Sequence, residues 1–240
     1  MKNIVEIKHL KMGFGNKTII KDLSFEVRAG EIFGFLGSNG SGKTTTLRTL
    51  LGFYTPVSGE LLIDGKPYDP EDTTVTVGYL PEERGLYRKE KVLDNMIYFG
   101  ELKGLKDPRE WSLRYLKRVQ IEDKADLRLD KLSGGQQQKV QLGITIMNNP
   151  KLLILDEPTK GFDPINRRLL MEIIEELHQK GTAVILITHY MDEVEKLCDR
   201  AILLKDGVAH AYGTIPEIRK QHKGKSLEQI FVDVYGGNNE

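Results

Sequence analysis

A glycine-rich motif at residues 37–44 constrains the fold of this chain more than any other feature of its sequence. The motif, GSNGSGKT, fits the pattern G-x-x-x-x-G-K-[ST], in which backbone N–H groups curl around phosphate oxygens. It follows the short apolar run Ile32–Leu36 and precedes helix-forming residues that start at Thr45. A buried strand, a glycine-rich loop and a helix whose positive end faces the loop form a phosphate-binding unit of α/β proteins. The motif therefore predicts both an α/β fold and a phosphate site.

The chemistry of the motif assigns roles to its last residues. Lys43 is expected to reach the β- and γ-phosphates of a nucleotide, and the Thr44 hydroxyl is expected to ligate Mg²⁺. An ordinary glycine-rich turn would fit the bare pattern, but the preceding strand and the following helix favour a phosphate loop. The predicted nucleotide-binding residues of this segment are Gly37, Ser38, Asn39, Gly40, Ser41, Gly42, Lys43, Thr44 and Thr45.

Later in the chain, short apolar runs alternate with amphipathic stretches. Runs that are apolar at nearly every position, at residues 151–155, 183–188 and 201–204, are typical of strands buried on both faces of a parallel sheet. The segment Pro164–Gln179 between them places its apolar residues on one helical face. Strands that alternate with helices predict an α/β sheet.

Two regions depart from this alternation. Short strand patterns at residues 5–7, 18–20 and 25–27, and a turn signal at Asp64-Gly65, predict an antiparallel β patch at the N-terminus. Residues 92–119 show helical periodicity and no strand signal, and Asp107-Pro108 within them is typical of a helix cap with proline at the first helical position. We therefore predict a helical subdomain inserted between strands.

Composition limits the classes of function. Lys plus Arg and Asp plus Glu both total 35, whereas a nucleic-acid-binding protein usually shows a basic excess. The single cysteine, Cys198, excludes an internal disulfide and fits a reducing compartment. We expect no signal peptide, and no apolar run approaches the about 20 residues that cross a bilayer. Any membrane role is therefore expected to require a partner protein.

Two carboxylates follow one of the apolar runs. In the sequence LLILDE, Asp156 and Glu157 stand at the carboxyl end of a predicted strand, where open α/β sheets bind their ligands. Asp156 is placed to hold Mg²⁺ through water, and Glu157 is placed to polarise an attacking water molecule. The alternative is a pair of solvated charges at a strand exit. The phosphate loop in the same chain favours the catalytic interpretation.

The sequence LSGGQ at residues 132–136 has two interpretations. Ser133 is a good helix N-cap, and the two glycines that follow it expose backbone N–H groups at a helix start, which would form a second anion-binding site. A plain helix cap also satisfies the segment, and for LSGGQ taken alone the plain cap is the better explanation.

Taken together, GSNGSGKT, LSGGQ and LLILDEP resemble the motifs of the ATP-binding cassette family, and the resemblance covers nearly the whole chain. It implies ATP and Mg²⁺ as cofactors and an α/β, P-loop NTPase (RecA-like) core with the N-terminal antiparallel β patch and the inserted α-helical subdomain. Residues 1–240 would form a single nucleotide-binding domain. Its catalytic core would comprise residues 1–86 and 141–235, its helical subdomain residues 87–140 and a frayed tail residues 236–240.

The resemblance also implies roles for single residues. His189 looks like the switch histidine that contacts the γ-phosphate, and Phe14 looks like the aromatic residue that stacks on adenine. The implied catalytic residues are Glu157, His189 and Lys43, and the implied Mg²⁺ ligands are Thr44, Asp156 and Glu82. The signature residues, which would contact ATP held by a partner chain, are Ser133, Gly134, Gly135 and Gln136. The loop where two cassettes would touch is Gly161, Phe162 and Asp163.

One position departs from the family pattern. Glu82 stands where many cassettes carry glutamine, and glutamate adds a negative charge, so the role of this side chain is open. We expect Tyr79-Leu80-Pro81-Glu82 to form a loop. The surrounding stretch YLPEERGLY, residues 79–87, resembles cassettes of exporters in the sodium-extrusion and drug-efflux lineage.

The function implied is that of an ATP-hydrolysing subunit of a transporter, in which two cassettes, expected to be a homodimer, enclose ATP and drive an integral-membrane permease, with export favoured. The expected location is the cytoplasmic face of the cell membrane, through the permease, with no nucleic-acid partner. An alternative is a soluble cassette acting on nucleic acid, the ribosome or iron–sulfur assembly, which the single copy and the absence of long insertions disfavour. A P-loop kinase or GTP-binding switch would not need LSGGQ.

Overall fold

The computed structural model describes residues 2–72, 74–83 and 85–236, and it divides into two compact units, residues 1–75 with 178–240 and residues 76–177. Within the described ranges the chain forms nine strands and eight α-helices. In chain order these are β1 (Asn3–Phe14), β2 (Lys17–Arg28), β3 (Ile32–Leu36), α1 (Lys43–Leu50), β4 (Ser58–Ile63), β5 (Val77–Leu80), α2 (Val92–Leu102), α3 (Pro108–Arg118), α4 (Gly134–Ile146), β6 (Leu152–Asp156), α5 (Pro164–Gln179), β7 (Ala183–Ile187), α6 (Met191–Leu197), β8 (Arg200–Lys205), β9 (Val208–Thr214), α7 (Ile215–Gln221) and α8 (Leu227–Gly236).

The first unit contains the predicted antiparallel β patch. Strand β1 pairs antiparallel with both β2 and β4. The predicted strands at residues 18–20 and 25–27 are parts of one 12-residue strand, β2. The pairing of β1 with β2 shifts register between Ile7 and Leu10. Because each register shift breaks the alternation of side chains, only short pieces of these long strands are visible in the sequence.

In the first unit, β3 lies between two strands that run parallel to it. Strands β7 and β8 both pair with β3 in parallel, and every residue of β3 and β7 is buried. The bounds of β3 and α5 agree with the sequence prediction. Asp206 and Gly207 turn the chain with positive φ angles of 51° and 76° into β9, which runs antiparallel to β8. Strand β9 and helices α6, α7 and α8 were not predicted.

The second unit carries the helices between β5 and β6, which pair with each other in parallel. Tyr79 and Leu80 lie in β5, so the prediction that they belong to a loop was wrong. The cap of α3 is as predicted, because the Asp107 carboxylate accepts a hydrogen bond from the Glu110 N–H at 2.9 Å and Pro108 follows at N1. The Tyr115 hydroxyl of α3 donates to the Lys139 carbonyl of α4 at 2.8 Å.

The predicted helical subdomain, residues 87–140, lies inside the second unit, which also contains β5, β6 and most of α5. Of the predicted frayed tail, Gly236 is the last residue of α8, and residues 237–240 lie outside the described residues. Across the described ranges, no helix combines the length and the apolar character needed to cross a bilayer.

Candidate nucleotide-binding site

The phosphate loop of the first unit connects β3 to α1. Gly42 is the N-cap of α1 and has a φ of 106°, which L-residues with a side chain rarely adopt. A Cβ atom at this position would also lie 2.4 Å from Cδ1 of Ile20. Since glycine has no side chain, Gly42 cannot cap α1 as serine or aspartate would. The first turn of α1 therefore offers only backbone N–H groups to a ligand, which fits the anion site that the motif predicts.

The ammonium group of Lys43 lies inside the curl of the loop. Its Nζ donates hydrogen bonds to the carbonyl oxygens of Gly37 at 2.8 Å and Ser38 at 3.0 Å, and the residue is buried. The loop thus bends back over its own lysine. An ammonium held by two neutral carbonyls is placed to exchange them for phosphate oxygens, because charge-assisted hydrogen bonds are stronger.

The Ser41 hydroxyl in the same loop is buried, with the residue 6% exposed, and finds no hydrogen-bond partner among the residues that the structure describes. The Ser41 N–H donates to the Ser38 carbonyl at 3.2 Å, which fixes the backbone of the turn. An unsatisfied buried hydroxyl costs about 1–3 kcal/mol. A phosphate oxygen would remove this cost, so the loop fits a phosphate-bearing ligand.

Two more predicted residues belong to the first unit. The Phe14 ring is 49% exposed at the end of β1 and meets Tyr54 edge to face, with the ring centroids 5.1 Å apart. His189 is exposed and lies two residues after the end of β7. Its ring packs against the Tyr190 ring, with the ring centroids 4.2 Å apart. The Thr188 hydroxyl fixes this turn because it accepts from the Tyr190 N–H at 3.1 Å. Tyr54 has no sequence signal and was missed.

Asp156 and Glu157 belong to the second unit, at the end of β6. They are 2% and 8% exposed, so both carboxyl groups are buried rather than solvated. Glu157 has a φ of 51°, in the left-handed region that a non-glycine residue seldom occupies. Such strained backbone is concentrated at functional sites. The buried position contradicts the alternative of solvated charges, and the backbone conformation could not be read from the sequence.

The Glu82 side chain has a specific partner in the second unit. The Lys160 ammonium contacts a Glu82 carboxylate oxygen at 2.5 Å. Glu82, Lys160 and Glu157 line one cavity of about 570 Å³ together with Gln137 and Gln138. The extra negative charge that Glu82 brings is therefore balanced by Lys160, a residue that sequence analysis did not single out.

The LSGGQ segment forms the start of α4. The Ser133 hydroxyl accepts from the Gln136 N–H at 3.3 Å, and the Gln136 side-chain oxygen accepts from the Ser133 N–H at 2.9 Å. This reciprocal pair is a capping box, and it stabilises the first turn without a ligand. The prediction that Ser133 caps this helix is thus confirmed. Contact of the LSGGQ segment with ATP held by a partner chain stays a prediction.

The structure brings the LSGGQ segment beside the predicted contact loop. A Cβ atom at Gly135 would lie 3.4 Å from the Phe162 ring. Gly135, Phe162 and Asp163 line a cavity of about 510 Å³, together with Lys139. These two predicted functional segments therefore share one surface of the second unit.

Two charged groups border this cavity. The Asp163 carboxylate accepts from the backbone N–H groups of Asn166 at 2.9 Å and Ile165 at 3.0 Å, and these bonds lower its pKa. The Lys139 ammonium donates to the Val119 carbonyl at 2.8 Å, and burial lowers its pKa. Asp163 therefore caps α5 and also lines the cavity. This cap anchors the predicted contact loop at residues 161–163 to the start of α5.

The predicted site residues divide between the units. The first unit holds Phe14, residues 37–45 and His189, and the second holds Glu82, residues 133–136, Asp156, Glu157 and residues 161–163. The described residues contain no group of three or more His, Cys, Asp or Glu side chains placed to hold a metal ion.

The phosphate loop, the parallel strands around β3 and the acidic end of β6 define a P-loop nucleoside triphosphatase. Comparison with known proteins narrows the class. A family model described as ABC transporter matches residues 20–160. The chain belongs to the ABC transporter family, as an ATP-binding ATPase subunit, which confirms the predicted family, fold class and enzyme class.

Two relatives show how far the similarity extends. An uncharacterised ABC transporter ATP-binding protein of Methanocaldococcus jannaschii is 45% identical over 91% of this chain and 80% of the relative. Nod factor export ATP-binding protein I of Rhizobium sp. is 35% identical over 99% of this chain and 78% of the relative. The similarity thus includes ATP-binding proteins of export systems.

Solved structures share the fold. The ATP-binding subunit of an ABC transporter superposes with a TM-score of 0.88 and 30% identity, over 96% of this chain and 98% of that chain. A dimeric ATP-binding cassette in a post-hydrolysis state, bound to ADP and Pi, gives a TM-score of 0.78 and 25% identity over 88% of this chain and 98% of that one.

Proposed function

We propose that two copies of this chain enclose ATP between them and that hydrolysis drives an integral-membrane permease, in the direction of export. The observation that carries the proposal is the presence in one chain of two glycine-bearing helix starts, at α1 and α4, with different caps. The dimeric, ADP-bound and Pi-bound cassette among the similar structures supports the same arrangement.

The first helix start binds the triphosphate. Lys43 exchanges the Gly37 and Ser38 carbonyls for the β- and γ-phosphates, and the Ser41 hydroxyl gains an acceptor. The residues proposed to bind nucleotide are Gly37, Ser38, Asn39, Gly40, Ser41, Gly42, Lys43, Thr44 and Thr45. The exposed Phe14 ring, supported from its edge by Tyr54, offers an aromatic face to adenine.

Hydrolysis uses the acidic end of β6. Mg²⁺, when bound, neutralises charge on the phosphates, and the Thr44 hydroxyl and the carboxylates of Asp156 and Glu82 offer the oxygen ligands that it prefers. Glu157 orients and polarises the attacking water, and its strained backbone fixes the direction of the carboxylate. His189 steadies the charge that develops on the γ-phosphate.

The second helix start acts on the nucleotide of the other copy. Because α4 is already capped by Ser133 and Gln136, it presents a preformed tip whose positive end attracts the γ-phosphate. Gly134 and Gly135 keep that tip narrow enough for close approach. Gly161, Phe162 and Asp163, which share its surface, contact the other copy. Loss of the γ-phosphate weakens this contact, so the dimer opens.

The permease links this cycle to transport. Export relatives such as Nod factor export ATP-binding protein I support the direction, and we place the chain at the cytoplasmic face of the membrane without a nucleic-acid partner. Glu82 lies ten residues before Val92, the first residue of α2, which is the first helix of the predicted helical subdomain. Its ion pair with Lys160 connects this segment to the residues that follow Glu157. We propose domain bounds of 1–86 and 141–235 for the core and 87–140 for the helical subdomain.

Purification from detergent-solubilised cells tests the transport assignment. A tagged chain is expected to retain a multi-span membrane protein in constant ratio and to lack bound nucleic acid. The Lys43→Ala variant is a suitable control, because permease docking does not require the phosphate loop and should persist. Recovery of ribosomes or nucleic acid in place of a membrane protein would support the soluble-cassette alternative and refute the proposal.

A further inference from the structure

The first residue of the phosphate loop lies in a crowded position. Strand β8 runs parallel to β3 with Leu203 beside Leu36, so Leu204 lies next to the point where the loop begins. A Cβ atom at Gly37 would lie 2.5 Å from the Ser41 hydroxyl oxygen and 2.7 Å from the Leu204 carbonyl oxygen. The position of that carbonyl therefore limits the path of the loop at Gly37.

The Leu204 carbonyl is held by a residue from the end of the described chain. The pairing of β8 with β9 shifts register between Leu203 and Leu204, and such an irregularity takes a backbone group out of the ladder. The Tyr235 hydroxyl of α8 donates a hydrogen bond to this carbonyl. The same hydroxyl oxygen would be 3.2 Å from a Cβ atom at Gly37, so Tyr235 reaches the loop itself.

Several contacts fix the last turn of α8 at this place. The Lys205 ammonium donates to the Val234 carbonyl at 2.6 Å and lies 5.7 Å from the centroid of the Tyr235 ring. A cation at the C-terminal end of a helix is favourable because it complements the helix dipole. The Phe231 ring packs against Tyr235 with the centroids 4.5 Å apart.

The first turn of α8 is also anchored. The Glu195 carboxylate of α6 accepts from the Leu227 N–H at 2.8 Å, and Arg219 contacts the same carboxylate at 2.9 Å. Because both ends of the helix are held, Tyr235 has a defined position rather than that of a loose terminal side chain.

We propose that Tyr235 is a positioning residue for ATP binding, which acts by holding the Leu204 carbonyl beneath Gly37. With the carbonyl fixed, Gly37, Ser41 and Lys43 keep the arrangement that receives the phosphates. Without the hydroxyl, the loop is less ordered before nucleotide binds. Part of the binding free energy is then spent on ordering the loop, so the affinity for ATP falls. The inference rests on the proposed phosphate-binding role of the loop. It adds that α8, which lies far from the phosphate-loop motif in the sequence, contributes to ATP affinity.

The Tyr235→Phe variant removes the hydroxyl and keeps the ring. Loss of one hydrogen bond of ordinary strength predicts a Kd for ATP that is about three- to tenfold higher. The turnover number at saturating ATP should stay the same, because the occupied loop is ordered by its ligand. Lys205→Met, which releases the last turn of α8, should raise the Kd in the same direction.

The control is Val232→Ala, on the same helix and 59% exposed, which should change neither constant. The Kd is measured by calorimetry, and the melting temperature is measured without nucleotide. A purely structural role would lower the melting temperature of Tyr235→Phe and Lys205→Met and leave both Kd values as in the unmodified chain, and that result would overturn the inference.

The proposed function can fail separately. If Lys43→Ala binds ATP normally, the phosphate-loop assignment is wrong. If Lys43→Ala loses binding while Tyr235→Phe and Lys205→Met retain the normal Kd, the loop assignment stands and the positioning role of Tyr235 is refuted.

Discussion

The starts of helices α1 and α4 look alike in sequence and differ in structure. Both follow glycine-bearing motifs, but the N-cap of α1 is Gly42, in the left-handed region, whereas the N-cap of α4 is Ser133, in the extended region with a complete capping box. The first helix has no side chain at its cap to satisfy its N–H groups, and the second supplies its own. The difference supports the proposal that a bound anion completes the start of α1, whereas the start of α4 is already stable without one.

Buried polar groups show the same difference. In the loop before α1, the Ser41 hydroxyl is buried and lacks a hydrogen-bond partner among the described residues. At the start of α4, the Ser133 and Gln136 side chains satisfy each other's backbone. Nucleotide should therefore stabilise the first region strongly and the second region only when a partner chain brings its phosphate.

Of the variants that compare the two helix starts, Lys43→Ala should have the largest effect, and the affected quantity is the Kd for ATP at the start of α1. The variant removes a buried ammonium that would bind the phosphates through charge-assisted hydrogen bonds, so the Kd for ATP should rise roughly ten- to a hundredfold. Lys21→Ala is the control, because Lys21 lies in the same unit with an exposed side chain. Unchanged affinity in Lys43→Ala, measured by calorimetry, would contradict a binding role for α1.

Alanine substitution of one glycine at each helix start compares their backbones. Gly42→Ala places a side chain at a φ of 106° and 2.4 Å from Ile20, so it should lower the free energy of unfolding by about 1–3 kcal/mol. Gly135→Ala meets only the Phe162 ring, at an ordinary contact distance of 3.4 Å, and should unfold at nearly the normal urea concentration. Equal losses of stability would show that the two starts do not differ as described.

Ser133→Ala removes the capping side chain of α4. Loss of such a cap lowers the free energy of unfolding by about 1 kcal/mol. Because the phosphate loop is untouched, the Kd for ATP of the monomer should not change. Ser133→Thr keeps the hydroxyl and should recover most of the stability in urea unfolding. A weaker monomer Kd in Ser133→Ala would mean that α4 contributes to the nucleotide site of its own chain.

The smallest expected effect is on the stability of the protein at acid pH, and it comes from Asp163, which lines the cavity beside the start of α4. Hydrogen bonds from Asn166 and Ile165 hold the pKa of Asp163 below its ordinary value. A lowered carboxyl pKa contributes stability that is present above the unfolded-state pKa and is lost as pH falls through the folded-state pKa. Asp163→Asn should therefore flatten the acid side of a plot of urea midpoint against pH. Identical profiles would remove the role of the Asp163 charge.

Much of the fold could be predicted from local patterns in the sequence. The bounds of β3 and α5 were predicted as observed, because an unbroken apolar run and an unbroken helical stripe are both local signals. Helix α8 was missed, because only Leu227 and Ile230 on it are buried and its place depends on contacts with β8 and α6. Tyr79 and Leu80 were placed in a loop because four residues of strand give too short a pattern.

The motifs identified the candidate site residues, but not the pairs that position them. Lys160 and Glu82 are 78 residues apart, and Tyr235 and Leu204 are 31 apart, so neither contact leaves a periodic trace in the sequence. The left-handed backbone of Glu157 is likewise set by the structure around it. Residue type and spacing indicate chemistry, whereas tertiary packing decides geometry.

The mass of the Glu157→Gln variant in solution, measured by light scattering with saturating ATP and Mg²⁺, tests the central claim most directly. With the water-polarising carboxylate removed, turnover should fall by about two to four orders of magnitude, and ATP should hold two chains together. We expect twice the mass of one chain for Glu157→Gln and the mass of one chain for Glu157→Gln combined with Lys43→Ala. The control is Glu175→Gln, at an exposed position of α5, which should have the same mass as the unmodified protein under these conditions. A Glu157→Gln chain that binds ATP and stays monomeric would contradict the account.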